Sequence, residues 1–226
     1  MSDPEHALVI MFDVDNTLLD NDRVRAALDG AVAAIVGSDL NVRFWEVYEE
    51  VRADLDHVSY PETIERFSHV CGDVGYVEAL SELLSAFPFV DYVYGGARAA
   101  LEHAAELALP VIVTDGDQFF QRSKIRSAGL AGAVDGRVLI YVHKEHETAD
   151  VRRRYPARHY VMLDDKGRIL TGMKRALGDT LTTVHVRQGK YAATPPEVPP
   201  DLAIDGIGEF TTLTADDLIA AARPSP

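Results

Sequence analysis

The segment Leu8-Val-Ile-Met-Phe-Asp-Val-Asp-Asn-Thr-Leu-Leu-Asp20 constrains the fold of this 226-residue chain more than any other part. An apolar run of strand length stops abruptly at two carboxylates, Asp13 and Asp15, one residue apart. Alternate side chains of a strand share a face, so both acids are expected to emerge together at the strand's carboxyl end, where open parallel α/β sheets bind ligands. One can then act as a nucleophile and the other as an acid/base. Taken alone, Asp-x-Asp is better read as a buried strand running into an Asx-type turn at Asp15-Asn16-Thr17. Segments downstream tip the balance.

Further apolar runs rich in β-branched residues read as strands at 110–113 and 160–163, with additional candidates at 138–142 and 181–186. Between them lie stretches of helical spacing at 96–107, 117–128, 147–155 and 167–177. Alternating strand and helix predicts a Rossmann-like α/β core, a parallel sheet covered on both faces. The block 21–91 breaks the alternation. It reads as amphipathic helices at 22–35, 42–55, 61–70 and 76–86, punctuated by Gly37, Ser38 and the Tyr60-Pro61 step. A helical block between two strands of one sheet predicts an inserted α-helical cap over 21–91, with the core built from 1–20 and 92–226. The four prolines in 192–200 predict an extended surface crossing, followed by a loose strand at 202–210, a closing helix at 215–222 and a frayed end.

With 22 basic against 36 acidic residues, the formal charge is −14. Such a field repels nucleic acid and anionic membrane, so neither is an expected partner and any phosphate chemistry needs local positive charge. Cys71 is the sole cysteine, which excludes an intrachain disulfide and fits a reducing compartment. The amino terminus is polar and acidic and no apolar stretch reaches membrane-span length, so the expected location is cytoplasmic.

Attack of a carboxylate on a phosphate monoester brings like charges together, at about 4 kcal/mol per unit pair for an effective dielectric of 20. Two segments could supply a compensating environment. In Val111-Ile-Val-Thr-Asp-Gly-Asp117 a strand ends at Thr114, whose hydroxyl, with the amides from Asp115 onward, can donate to a phosphoryl oxygen. In Val161-Met-Leu-Asp-Asp165 another strand ends in two acids, and Asp164 and Asp165 opposite Asp13 would suit Mg²⁺, which takes a few carboxylates plus water and substrate oxygens.

These segments resemble, in type and order, the first, second and fourth motifs of the haloacid dehalogenase (HAD) superfamily, whose members mostly transfer phosphoryl groups through a phosphoaspartate. The resemblance spans nearly the whole chain. It implies Asp13 as nucleophile, Asp15 as general acid and then base, Thr114 and Asp115 at the phosphoryl group, and Mg²⁺ held by Asp13, the Asp15 carbonyl and Asp164 or Asp165. The third motif is a lysine shortly before the fourth, and Lys144 in Tyr-Val-His-Lys-Glu matches it; Lys124, mid-helix, and Lys166, beside the acids, are its rivals. Asn16 stands where many family phosphatases carry glycine, Glu145 where proline often follows the lysine, and the fourth motif is the compact Asp-Asp form.

The implied activity is hydrolysis of a small phosphorylated metabolite. A phosphomutase uses the same residues, whereas a hydrolytic dehalogenase needs neither Asp15 nor the acidic pair, and a phosphonate-cleaving enzyme needs a cap lysine although residues 1–123 contain none. A non-catalytic binding module could keep the same pocket. His143 and His146 lack a third soft ligand nearby, and His69 and Cys71 read as helix packing. The cap aromatics Phe44, Trp45, Tyr48, Phe67 and Tyr76 are spaced for packing, and Arg43, Arg52, Arg66 and Tyr92 are the cap side chains singled out to face the site.

Overall fold

The computed structural model describes residues 5–222; positions 1–4 of the polar amino terminus and the end expected to fray, 223–226, lie outside the described residues. Along the chain run β1 (His6–Phe12), α1 (Asn21–Val36), α2 (Ser38–Leu55), α3 (Tyr60–Cys71), α4 (Gly75–Ala86), α5 (Ala97–Leu107), β2 (Leu109–Asp115), α6 (Gln118–Ser127), α7 (Leu130–Ala133), β3 (Val138–Tyr141), α8 (Thr148–Arg154), β4 (Ala157–Asp164), α9 (Gly167–Leu177), β5 (Leu181–Val186), β6 (Leu202–Ile204) and α10 (Ala215–Ala220). The six strands form one sheet in the order β3-β2-β1-β4-β5-β6, every neighbouring pair parallel. This is the Rossmann-like core the alternation predicts.

β1 is central because its side chains are apolar on both faces. Leu8, Ile10 and Phe12 join one hydrophobic cluster and Val9 and Met11 the other, as the two-residue period of a strand requires. From β1 the chain builds outward through β2 and β3 on one side and then through β4, β5 and β6 on the other. The strand order therefore reverses at β1, and the crevice outside its carboxyl end is the switch point where such sheets bind ligands.

Helices α1–α4 stand between β1 and β2. The chain enters and leaves this block along paired segments, with Asp20 N donating to Tyr92 O at 2.8 Å and Tyr94 N to Leu18 O at 2.9 Å. Capping sets the helix ends. Asp20 accepts from Arg23 N at the start of α1, and Ser59 accepts from Glu62 N at the start of α3, with Pro61 in the first turn. Gly37 breaks the chain as its sequence suggests, at φ 82, but Ser38 does not prolong the break: α2 begins there, four residues before the expected position. Buried Leu28, Phe44, Val47 and Phe67 from these helices join the cluster containing Ile10 and Phe12, so the apolar core is continuous from sheet to cap.

Two expectations near the carboxyl terminus are corrected. Strand character over 202–210 is confined to Leu202–Ile204; beyond Gly206 a 3₁₀ turn, Ile207–Thr212, buries Ile207 and Phe210 three residues apart, with Phe210 set edge-on to Phe12 at 5.5 Å. The proline-rich 192–200 stretch is not extended but turns, with Thr194 N donating to Tyr191 O at 2.9 Å. It lies so close over the start of α9 that a Cβ at Gly167 would come within 2.7 Å of Pro196 Cα. Among the described residues no helix is long and apolar enough to cross a membrane.

Candidate active site

β1 hands over to a tight loop. Val14 O accepts from the amides of Leu18 and Leu19, both at 2.9 Å, and Asn16 adopts φ 62 at its apex. Asparagine tolerates this left-handed conformation, which accounts for its presence where glycine was the alternative. Its side chain also caps the neighbouring helix. Asn16 Oδ1 accepts from Asn21 N at 3.0 Å and Asp22 N at 3.2 Å, satisfying amides at the start of α1.

The loop places Asp13 and Asp15 in different surroundings. Asp13 is 1% exposed. Its Oδ1 accepts from Lys144 Nζ and, at 3.2 Å, from the Thr114 hydroxyl at the end of β2. Lys144 is fully buried in a 3₁₀ turn after β3, where its Nζ also lies 2.6 Å from Asp164 Oδ2 and donates to Val113 O at 3.2 Å. Asp15 is partly exposed and pairs with Lys124 on α6, Nζ to Oδ1 at 2.5 Å. Gln121, one turn earlier on α6, donates to both Asp15 Oδ2 at 3.3 Å and Thr114 Oγ1 at 3.1 Å. A relay of hydrogen bonds, Asp13–Thr114–Gln121–Asp15, thus links the two acids.

Of the amides that follow Thr114 before the helix, that of Gly116 is committed within the chain. Gly116 N donates to Tyr141 O at 2.8 Å, and Asp117 caps α6 by accepting from Phe119 N and Phe120 N. The Asp115 carboxylate lines the cavity while its Oδ1 takes the Lys144 N–H at 2.8 Å, fixing the backbone from which the buried lysine departs.

Asp13, Asp164 and Asp165 gather carboxylate oxygens within 4.8 Å of one another, all three residues buried. Asp164 Oδ1 accepts from Lys166 N at 2.8 Å. Both oxygens of Asp165, and Oδ2 of Asp13, have no hydrogen-bond partner. Burial pushes Asp165 up to about 9, helped by repulsion from Asp164 and Asp13. Burial likewise lifts Asp164 to about 6. Asp13 goes the other way: burial alone would raise it, but Lys144 and Lys166 together hold it below the usual carboxylate value. Lys144 is raised, the attraction of Asp13, Asp164 and Asp115 exceeding the penalty of burial. An unpartnered buried carboxylate needs either a proton or a cation, and three oxygen donors in this cluster fit a hard divalent ion such as Mg²⁺.

The structure thus gathers Asp13, Asp15, Thr114, Asp115, Lys144, Asp164 and Asp165 at one place. Of the singled-out cap residues only Arg52 lines the cavity; Arg43 pairs with Glu46 and Glu50, Arg66 with Asp54 and Glu62, and Tyr92 packs against Phe87. His143 pairs with Asp56 at 2.9 Å, joining the core to the end of α2. Tyr48, assigned to packing, lines the cavity with Tyr60, Phe120, Lys190 and Tyr191, which motif reasoning did not reach. Gln121 and Lys124 carried a usable signal: they are polar residues three apart on the inward face of a predicted helix.

A carboxylate–lysine centre at the switch point of a parallel sheet, under a helical cap, defines a class of α/β enzyme that works with an acid at a strand end. The model of the haloacid dehalogenase-like hydrolases matches residues 8–176, and the chain belongs to that family. A haloacid dehalogenase-like hydrolase from Burkholderia xenovorans LB400 is 42% identical, with 92% of this chain and 99% of that one covered and a TM-score of 0.85. The fold is shared at 17% identity with the L-2-haloacid dehalogenase from Xanthobacter autotrophicus with chloropropionic acid covalently bound, at 91% and 97% coverage and TM-score 0.62. It is shared at 16% identity with the HAD hydrolase YfnB from Bacillus subtilis bound to magnesium, at 92% and 98% coverage and TM-score 0.59. No curated protein sequence matches.

Proposed function

We propose that this hydrolase is a Mg²⁺-dependent phosphatase acting on a small phosphate monoester through a phosphoaspartate on Asp13. The observation that carries this reading is the placement of Asp13: its carboxylate is ionised by two lysines, hydrogen-bonded by Thr114, and linked by the relay to a second acid, Asp15. An Asp13 carboxylate oxygen attacks phosphorus while the bond from phosphorus to the ester oxygen breaks, and Asp15 supplies the proton that the leaving alkoxide needs. Water then attacks the acyl phosphate, Asp15 takes its proton, and inorganic phosphate departs with Asp13 regenerated. Lys144 and Thr114 offset the charge that builds on the phosphoryl oxygens.

Asp13, the Asp15 carbonyl and Asp165 are the residues that would hold Mg²⁺, which when bound would neutralise phosphoryl charge. Asp165 is preferred to Asp164 as the direct ligand because both of its oxygens are unpartnered, whereas those of Asp164 face Lys144 Nζ and Lys166 N. Asp15 and the acidic pair favour this chemistry over dehalogenation, which requires neither. Phosphate release from a panel of phosphorylated metabolites, with Mg²⁺ and with chelator, tests the reading. Turnover at full rate in excess chelator would refute the metal assignment, and halide release from 2-chloropropionate without phosphate release from any ester would refute the reaction.

A further inference from the structure

Asp15 lies at the inner edge of a cavity of about 730 Å³, within the range of sites that enclose whole small molecules rather than a phosphate alone. If Asp15 meets the leaving oxygen, the group carried by that oxygen occupies the cavity beyond it. Three rings from three elements line that space. Tyr48 on α2 and Tyr60 at the start of α3 stand 5.4 Å apart between centroids, and Phe120 on α6 stands 4.7 Å from Tyr60. Burial raises both phenols, Tyr48 to about 12, so the wall is uncharged at working pH.

The same cavity shows a local reversal of the protein's charge. Arg52 from α2 and Tyr191 both line it, and Lys190 Nζ lies 5.0 Å from the centre of the Tyr191 ring. Each of the five carboxylates of the lining has a donor of its own: Asp15 has Lys124, Asp56 has His143, Asp117 the amides of α6, Asp115 the Lys144 N–H and Glu145 the Arg168 guanidinium, although Oδ2 of Asp115 and Oε2 of Glu145 accept no hydrogen bond. Among the described residues Lys190 Nζ has no carboxylate within 4 Å, and Arg52 has only a largely exposed Glu49 at 3.3 Å. In a chain of net charge −14, whose field opposes anions, two such cations beside an aromatic wall mark a place where an anion is received.

Resting on the phosphatase reading, we propose that this cavity is a subsite for an aromatic leaving group bearing a second anionic substituent. The substrate is then the phosphate monoester of an aryl or arylmethyl alcohol that also carries a carboxylate or a further phosphate. The ring lies on Tyr48, Tyr60 and Phe120, and the second anion is met by Arg52 and Lys190.

The test compares kcat/KM of the whole enzyme, with Mg²⁺, for acetyl phosphate, cyclohexylmethyl phosphate, benzyl phosphate, 4-carboxybenzyl phosphate and 1,4-benzenedimethanol bisphosphate. The alcohols leaving from the four esters are of similar acidity, so differences among those esters report on recognition of the body, while acetyl phosphate, an activated anhydride, reports phosphoryl transfer alone. Benzyl should exceed cyclohexylmethyl by about tenfold, the scale of one good ring contact, and an added anion should raise the value by about tenfold again. The first ratio should fall toward one in Tyr48→Leu and in Phe120→Leu, and the second in Arg52→Gln and Lys190→Gln. The better of the two dianionic probes identifies the anion. If acetyl phosphate is hydrolysed and both ratios stay near one, the subsite proposal is overturned while the phosphatase reading stands. Release from none of the five compounds, acetyl phosphate included, overturns both.

Discussion

Lys124 Nζ lies 2.5 Å from Asp15 Oδ1, and the lysine is almost fully buried where the aspartate is partly open to the cavity. The proposed acid is therefore held on one oxygen by Lys124 and on the other by Gln121. In the proposed cycle the proton that the leaving oxygen needs comes from within this Lys124–Asp15 pair.

Lys124→Met should accordingly separate substrates by leaving group. Hydrolysis of alkyl phosphates should fall by roughly 10²-fold, the lower range of general acid catalysis, while 4-nitrophenyl phosphate, whose leaving group needs little protonation, should change far less. Asp15→Asn should show the same asymmetry. Equal losses for both substrates in both variants would show that the pair only shapes the site.

Lys144 sits between Asp13 and Asp164 with no exposure to solvent. Lys144→Met leaves two buried carboxylates facing each other. Catalysis should fall by about 2–4 kcal/mol of transition-state stabilisation. Stability should fall as well, by about 3–5 kcal/mol, the usual cost of removing one member of a buried pair. Lys166→Met should cost less on both measures, since no carboxylate among the described residues lies within ion-pair distance of its Nζ; urea unfolding and steady-state rates on the two variants check this.

Asp165 gives the metal-free protein a pH dependence of defined sign. Its value of about 9 in the fold stands above that of an unfolded aspartate, so between about pH 4 and pH 9 the folded state holds a proton that the unfolded state releases. That stability is complete at the acid end and is lost as pH rises toward 9, with a slope approaching about 1.4 kcal/mol per pH unit. In chelator, the melting temperature should therefore fall between pH 6 and 8.5, whereas Asp165→Asn, which mimics the protonated acid, should fall much less and be the more stable at pH 8.5. Mg²⁺ should restore the wild type at high pH and leave the Asn variant unchanged.

The framework of this site was legible because strands ending in acids are written as contiguous residues. β5 and α9 occupy the predicted 181–186 and 167–177, and the motif residues meet because β1, β2 and β4 are neighbours in a parallel sheet. What escaped were side chains whose position depends on helix rotation. Tyr48 has the spacing of a packing residue, yet faces the cavity because Phe44 and Val47 take the buried face of α2. Lys124 entered only as a rival to Lys144, because its pairing with Asp15 depends on a contact between elements far apart in the chain.

Gly189 and Asn16 meet across the mouth of the site, and both hold left-handed backbone, with φ 69 at Gly189. A Cβ at Gly189 would overlap the Asn16 side chain, and Lys190 N, the next amide, donates to Asp22 Oδ2 at 2.7 Å. Gly189→Ala should therefore destabilise by about 1–3 kcal/mol through backbone strain together with displacement of Asn16. Asn16→Gly removes the obstructing side chain but forfeits its hydrogen bonds to the start of α1, at about 1 kcal/mol. Because one contact is shared, the double variant should be more stable than the sum of the single effects predicts, by at least about 0.5 kcal/mol. Strict additivity in urea unfolding would show that the cost at Gly189 is backbone strain alone.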